Sequence, residues 1–430
     1  MQIHVVQQGE NLASIGIIYS IAPQAITQAN ELPNPDRLVI GQALVIPIVG
    51  RYYFVKAGDS LYSIASQFGL NYNELARINA ISPTQPLAIG WRLYIPPQPK
   101  RSAEFKGYVE PFGETVSPTI EADTRKTAPY LTYLAVFSFQ VQSDGSLKEP
   151  LLDPFIEIAK ANRVTLMMAI TNLEKGTFVN ELGQIILNDT AIQDNLINNI
   201  VEKAKKYGFR DIHFDFEYLR GEDRQAYINF LQKAKRRFAQ EGWLLSIAVP
   251  PKTRADQPGR WYAAYDYNAL GKVVDFIFIM TYEWGYSGGP PMAVSPIGPV
   301  REVLEYAITE IPPEKVMMGQ NLYGYDWTLP YQEGTQARAL SPQQAIQVAA
   351  NNGARIQYDE TAQAPFFEYQ ADGKDHIVWF EDARSIQAKF DLLKELRLRG
   401  MGYWKLGLSF PQNWLLLSDQ FEPVKANLQG

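Results

Sequence analysis

From its first residue to about residue 97 the chain is one segment written twice, and this doubling restricts the possible fold more than any other feature. A shift of 49 positions pairs Val6 with Val55, Gly9 with Gly58, Leu12 with Leu61, Ile15 with Ile64, Asn30 with Asn79 and Gly41 with Gly90 without a gap, and it superposes Ile46-Pro47 on Ile95-Pro96. Such a period means one supersecondary unit used twice. In each copy a short apolar strand (3–6; 53–55) enters a Gly-Glu or Gly-Asp turn. Two helical stretches follow, the second ending near Asn, and a last strand closes into Pro. The expected units are two βααβ modules, 1–48 and 51–97. The polar, Pro-containing stretch Gln98-Pro-Lys-Arg-Ser102 then serves as a linker over 98–103.

After the linker, apolar strand-like runs alternate with helical periodicity. Strands are expected at 105–109, 130–141, 164–171, 211–218, 244–249, 276–282, 316–323 and 402–406, with helices such as 191–207, 224–241 and 383–399 between them. Eight strands in βα alternation predict an α/β fold, a closed (β/α)8 TIM barrel over 104–430. An open doubly wound sheet is the rival, but no Gly-rich phosphate turn follows the first strand. The polar, Gln-rich stretch at about 329–380 breaks the alternation and reads as a small α+β insertion between strands seven and eight.

Strand alternation within 211–218 puts Asp211, His213, Asp215 and Glu217 on one face and Ile212, Phe214 and Phe216 on the other. In a barrel the apolar set faces the outer helices. The ionisable set then climbs the interior toward the C-terminal mouth, where barrel enzymes place their working residues. Burial penalises a charged carboxylate, and a second carboxylate two residues below adds repulsion. Glu217 is therefore expected to hold its proton near neutral pH, as a general acid must. The same file would also serve as a purely structural polar ladder.

Composition narrows the chemistry. There is no cysteine, which removes thiolate nucleophiles and disulfides, and the three histidines (His4, His213, His376) argue against a His-rich metal centre. A net charge of -6 argues against nucleic acid as a partner. No run reaches membrane-spanning length, and the N-terminus has neither the basic nor the apolar segment of a secretory signal, so no membrane association and no leader are expected.

The repeat resembles the lysin motif (LysM): the second copy reads Val55-Lys-Ala-Gly-Asp-Ser-Leu-Tyr-Ser-Ile-Ala65, then Asn79, then Ile89-Gly-Trp-Arg-Leu-Tyr-Ile-Pro96. This resemblance implies binding to N-acetylglucosamine chains. The first copy departs at Asn11 and Ala13, where the second has Ser60 and Tyr62. A repeat kept only as a folding or docking unit is the alternative.

Arg210-Asp-Ile-His-Phe-Asp-Phe-Glu217 resembles the catalytic strand of glycoside hydrolase family 18, with Glu217 and Asp215 in its last two acidic positions. His213 stands where that pattern has its middle Asp, and Arg210 where it has its first. Either Asp211 or His213 takes over the proton-sharing part, or His213 is a packed, neutral ring. The resemblance implies a retaining, substrate-assisted mechanism needing no metal and no cofactor, with Glu217 as general acid/base and Asp215 accepting the acetamide N–H. Met280-Thr-Tyr-Glu283 resembles the family's next segment, which implies that Tyr282 contacts the acetamide carbonyl, with Glu283 in place of Asp. Gly319-Gln-Asn-Leu-Tyr-Gly-Tyr325 resembles the family's strand-seven segment, which implies Gln320, Asn321 and Tyr323 as sugar contacts, and Tyr403-Trp404 resembles its last strand, which implies Trp404 under the sugar at the cleavage point. His213 and Trp284, the latter opening the Gly/Pro-rich loop Trp284-Gly-Tyr-Ser-Gly-Gly-Pro-Pro291, complete the candidate binding set.

Together these segments resemble family 18 N-acetylglucosaminidases of the spore-cortex-fragment-lytic kind from endospore-forming bacteria. The implied substrate is peptidoglycan, the implied location the coat and cortex region of the spore, and spore coat proteins are candidate partners. A chitinase or chito-oligosaccharide hydrolase is one alternative, and a non-catalytic glycan-binding coat protein the other.

Overall fold

The computed structural model describes residues 1–426. The expected barrel limit at 430 therefore has its last four residues, 427–430, outside the described residues. The chain divides into two compact units, Met1–Arg101 with Pro411–Phe421, and Ser102–Phe410 with the residues from Glu422 onward.

In the first unit each repeat is a two-stranded antiparallel sheet carrying two helices. Gln2–Val5 pairs with Ala43–Ile46 around helices Leu12–Tyr19 and Pro23–Asn30. In the second copy Arg51–Phe54 pairs with Arg92–Ile95 around Leu61–Gln67 and Tyr72–Ile78. Asn11 and Ser60 cap the first helix of each copy by reciprocal hydrogen bonds with Ser14 and Ser63. The repeated asparagine has a shared task. Asn30 donates to Ile26 O (2.9 Å) and Val45 O (2.8 Å) and accepts from Val45 N (2.8 Å). Asn79 makes the same three bonds to Leu75 and Tyr94. One side chain thus ties the second helix to the closing strand in both copies.

The copies differ in what covers them. Helix Pro411–Gln420 packs on helix Pro23–Asn30 and strand Ala43–Ile46 of the first module. Gln412 donates to Asn30 Oδ1 (3.3 Å), and the N-terminal ammonium pairs with Asp419 (2.7 Å). Gln42 is 2% exposed, whereas its counterpart Trp91 is 38% exposed.

The second unit is a closed barrel of eight parallel strands: β1 (Arg101–Val109), β2 (Tyr133–Val141), β3 (Thr165–Thr171), β4 (Asp211–Asp215), β5 (Leu244–Val249), β6 (Phe276–Ile279), β7 (Val316–Asn321) and β8 (Gly400–Trp404). Strand β1 pairs with both β2 and β8, which closes the cylinder. Helices follow most strands, and Ile212, Phe214 and Phe216 face outward as the alternation requires. Phe214 packs against Phe230 (centroids 5.2 Å apart) and Phe216 stacks on Tyr227 (6.2 Å), both on helix Arg224–Ala239. Between β7 and β8 lies the α+β insertion, a five-stranded antiparallel sheet opening with Gly324–Leu329 and ending with Lys374–Trp379, with helix Pro342–Asn352 beside it.

Several strands are shorter at the mouth than the apolar runs suggest. β4 stops at Asp215, β6 at Ile279 and β7 at Asn321, while β8 starts at Gly400 and ends at Trp404. Beyond Asp215 the backbone finds side-chain partners in place of a ladder. Phe216 O accepts from the Tyr265 hydroxyl, and Glu217 N donates to Asn172 Oδ1 (2.9 Å). Tyr218 then adopts φ 57°, which turns the chain out of the extended path. At the other end of β2, 128–130 forms a short 3-10 turn, so that strand begins at Tyr133. No helix among the described residues is long and apolar enough to cross a membrane.

Candidate active site

At the C-terminal mouth of the barrel a cleft of about 1340 Å³ is lined by residues including Asp215, Glu217, Met280, Tyr282, Glu283, Tyr323, Tyr325 and Trp404. Its acidic floor is built by β4 and the turn after it. Asn172, just past β3, fixes Glu217 from both sides, since its amide donates to Glu217 O (2.9 Å) while its carbonyl oxygen accepts Glu217 N (2.9 Å). The Glu217 carboxylate accepts from the indole N–H of Trp261 (2.9 Å), and Tyr218 stacks on that indole (6.2 Å, 22°).

Burial, and then the charge of Asp215, push Glu217 up to about 8, against the opposing Trp261 donor. Asp215 is 5% exposed, and burial raises it to about 6 while the nearby charge of Lys106 holds it down. Two carboxyl groups with separated affinities for a proton can divide the labour of one acid and one anion near neutral pH. Such a pair titrates as a unit.

Below them the barrel interior holds a directional hydrogen-bond chain. Lys106 Nζ donates to the Tyr108 hydroxyl (2.8 Å), which lies 2.7 Å from His213 Nε2; His213 Nδ1 lies 2.8 Å from Ser246 Oγ, which donates to Asp211 Oδ1 (2.6 Å). Because the Ser246 hydroxyl is committed to Asp211, His213 carries its proton on Nδ1 and accepts from Tyr108 on Nε2. Burial, aided by Lys106, holds His213 well below its usual range, so it is a packed, neutral ring. Asp211 is raised to about 7 by burial, opposed by the Ser246 bond and Lys106.

Tyr282 follows β6 and lines the cleft. Its ring passes over Gly319, where a Cβ would come within 2.9 Å of Tyr282 Cε1, so the bare backbone of β7 gives the ring its place. Trp404 ends β8 and stands edge-on to Tyr108 (5.3 Å) and Phe137 (4.9 Å), with part of its surface in the cleft. Glu283 accepts from the hydroxyls of Tyr323 and of Tyr325 (3.0 Å), so Tyr323 meets the cleft with its hydroxyl already engaged.

Four of the candidate sugar contacts lie elsewhere. Gln320 and Asn321 are 0% exposed, and Gln320 donates to Asn321 O and Oδ1 while Asn321 donates to Tyr323 O. They shape the wall from behind, with their amide donors engaged within the protein and Gln320 Oε1 buried without a hydrogen-bond partner. His213 belongs to the barrel interior, and Trp284 is not among the cleft-lining residues. The sequence reading missed Trp261, Tyr218, Tyr286 and Phe112, which lend aromatic surface to the cleft. Two had a local signal: Tyr218 in its place next to Glu217, and Tyr286 in the Gly/Pro-rich loop 284–291.

Comparison with known proteins agrees with this architecture. The model of glycosyl hydrolases family 18 matches residues 105–408, and that of the LysM domain matches 4–47 and 53–96. The chain is 60% identical over 427 residues to the cortical fragment-lytic enzyme of Bacillus subtilis (strain 168), covering 99% of each. It is similar to the crystal structure of the Bacillus megaterium QM B1551 spore cortex-lytic enzyme SleL, with a TM-score of 0.92, 56% identity and 99% of both chains covered. The Bacillus cereus spore cortex-lytic enzyme SleL gives a TM-score of 0.90 at 46% identity, again over 99% of both chains.

Proposed function

Because this chain belongs to glycosyl hydrolase family 18 and carries two LysM domains, we propose that it is a glycosidase of spore cortex peptidoglycan, an N-acetylglucosaminidase whose general acid/base is Glu217. The observation that supports the assignment best is the Asp215–Glu217 pair at the barrel mouth, with Glu217 raised to about 8 and Asp215 to about 6.

The substrate's own 2-acetamido carbonyl oxygen attacks the anomeric carbon as Glu217 protonates the departing glycosidic oxygen. Asp215, as the anion, accepts the acetamide N–H and stabilises the positive charge of the oxazolinium ion. The Tyr282 hydroxyl donates to the acetamide carbonyl oxygen and orients it. Glu217, now ionised, removes a proton from water as that water opens the oxazolinium at the anomeric carbon, which restores the acid and retains the configuration. Trp404 offers an aromatic face under the sugar at the cleavage point. The LysM modules hold the enzyme on glycan, and the coat and cortex region of the spore is where it works, with coat proteins as its neighbours.

The experiment is digestion of defined cortex fragments with mass spectrometry of the products. N-acetylglucosamine at the new reducing end supports the assignment, and muramic acid there would make the enzyme a muramidase. Glu217→Gln should abolish turnover while glycan binding persists; undiminished turnover would overturn the role of Glu217. Fragments with free amines in place of acetamides should resist cleavage.

A further inference from the structure

Lys106 is a lysine with no exposed surface inside an enzyme barrel, and no step above uses it. Its ammonium donates to the Tyr108 hydroxyl at 2.8 Å, lies 3.4 Å from His213 Nε2, and sits over two aromatic faces, Phe278 at 3.6 Å and Tyr108 at 4.0 Å. Burial pushes Lys106 well below the ordinary lysine range, while the charges of Asp215 and Asp211 act the other way and favour its cationic form, as do the aromatic faces. Space for it is reserved by a residue on another strand: a Cβ on Gly402 would meet the Phe278 ring at 2.6 Å and Lys106 Cε at 3.1 Å.

The groups facing Lys106 are Tyr108 on its own strand, Asp211, His213 and Asp215 on β4, and Tyr133 on β2 with Glu104 and Arg399 beyond it. Tyr282 and Glu217 stand above. His213 is neutral and the tyrosines keep their protons. Lys106 is the cation that acts most strongly on Asp211 and Asp215, although no direct ion pair joins it to either. One Asp215 oxygen, Oδ1, is buried with no hydrogen-bond partner, so a charge at a distance does for Asp215 what a hydrogen bond would otherwise do.

We propose that Lys106 is a positioning residue for catalysis: held by Tyr108 and the ring of Phe278, it keeps Asp215 anionic beside a protonated Glu217, the task left open by the histidine at position 213. This rests on the glycosidase reading above. The affinity of Asp215 for a proton is then held down by a cation below it, while burial and the charge of Asp215 raise that of Glu217.

The test compares pH profiles of kcat and kcat/KM on cortex fragments for the full-length enzyme and for Lys106→Met, which keeps the stem and removes the charge. The expected result is an acidic limb displaced upward by about one pH unit and kcat at pH 6 reduced about fivefold, with KM little changed and partial recovery at higher pH. An equal loss at every pH with the limb unmoved would overturn the proposal, and so would unchanged activity. Should Lys106→Met fail to fold, Tyr108→Phe decides. It deletes the hydroxyl that accepts from the ammonium and donates to the neutral His213, and it should move the acidic limb in the same direction by a smaller amount; a stationary limb would overturn the proposal. Failure of the glycosidase reading itself would look different, since the parent enzyme would then not cleave the fragments at all.

Discussion

The indole N–H of Trp261 donates to Oε2 of Glu217 across 2.9 Å, from a loop that follows a different strand of the barrel. The acid of the active site is thus aimed by a residue 44 positions away in sequence. An N–H donor favours the ionised carboxylate, so Trp261 pulls Glu217 down while burial and Asp215 push it up.

Trp261→Phe keeps an aromatic ring beside Tyr218 and removes the donor. The alkaline limb of the pH profile should then rise by about one unit, the size of one hydrogen bond to a charged group. A limb that stays near that of the parent would show that the bond is not made in solution.

For the unmodified enzyme, activity should be bell-shaped, rising through the Asp215 value of about 6 and falling through the Glu217 value of about 8. A profile that keeps rising toward pH 9 would contradict the assignment of Glu217 as the proton donor.

The same raised affinity has a cost in stability, with a definite sign. Unfolded, Glu217 releases its proton near its ordinary 4.5; folded, it keeps it to about 8. Between these values the folded state binds the extra proton, so stability falls as pH rises through the window. Glu217→Gln removes this penalty. Its melting temperature should exceed that of the parent at pH 8, with the gap closing below pH 4.5. A gap independent of pH would point to packing instead.

In the second module Trp91 is 38% and Tyr62 69% exposed. Trp91→Ala or Tyr62→Ala should weaken retention on insoluble cortex peptidoglycan about tenfold, on the scale of one aromatic stacking contact. Gln42 of the first module accepts the Val39 N–H within a covered surface, so Gln42→Ala should lower the melting temperature and leave retention unchanged. Equal losses of retention from both modules would contradict this division.

How much of this was legible in the sequence depends on how local each signal is. Asn30 and Asn79 stood out because the helix-to-strand tie recurs at a fixed shift. The outward Phe214 and inward His213 followed from strand alternation, and Tyr282 and Trp404 from their places at strand ends. Trp261 was invisible because its contact with Glu217 is made by a long loop with no periodicity. Gln320 and Asn321 looked like sugar contacts because a polar strand end reads the same whether it meets a ligand or the protein's own backbone. Lys106 left a trace that went unread: within β1 it shares parity with Tyr108, so an inward tyrosine meant an inward lysine.

Helix Pro411–Gln420, which roofs the first module, has a consequence for how the chain is made. The second module has all its own elements once Ile95 has left the ribosome. The first must wait until helix Pro411–Gln420 is translated, at about 5–20 residues per second tens of seconds later. Until then its surface on helix Pro23–Asn30 and strand Ala43–Ile46 lacks its cover. The module synthesised first is thus the last to be finished, and any product of premature termination before Pro411 carries that uncovered surface as a mark of incompleteness.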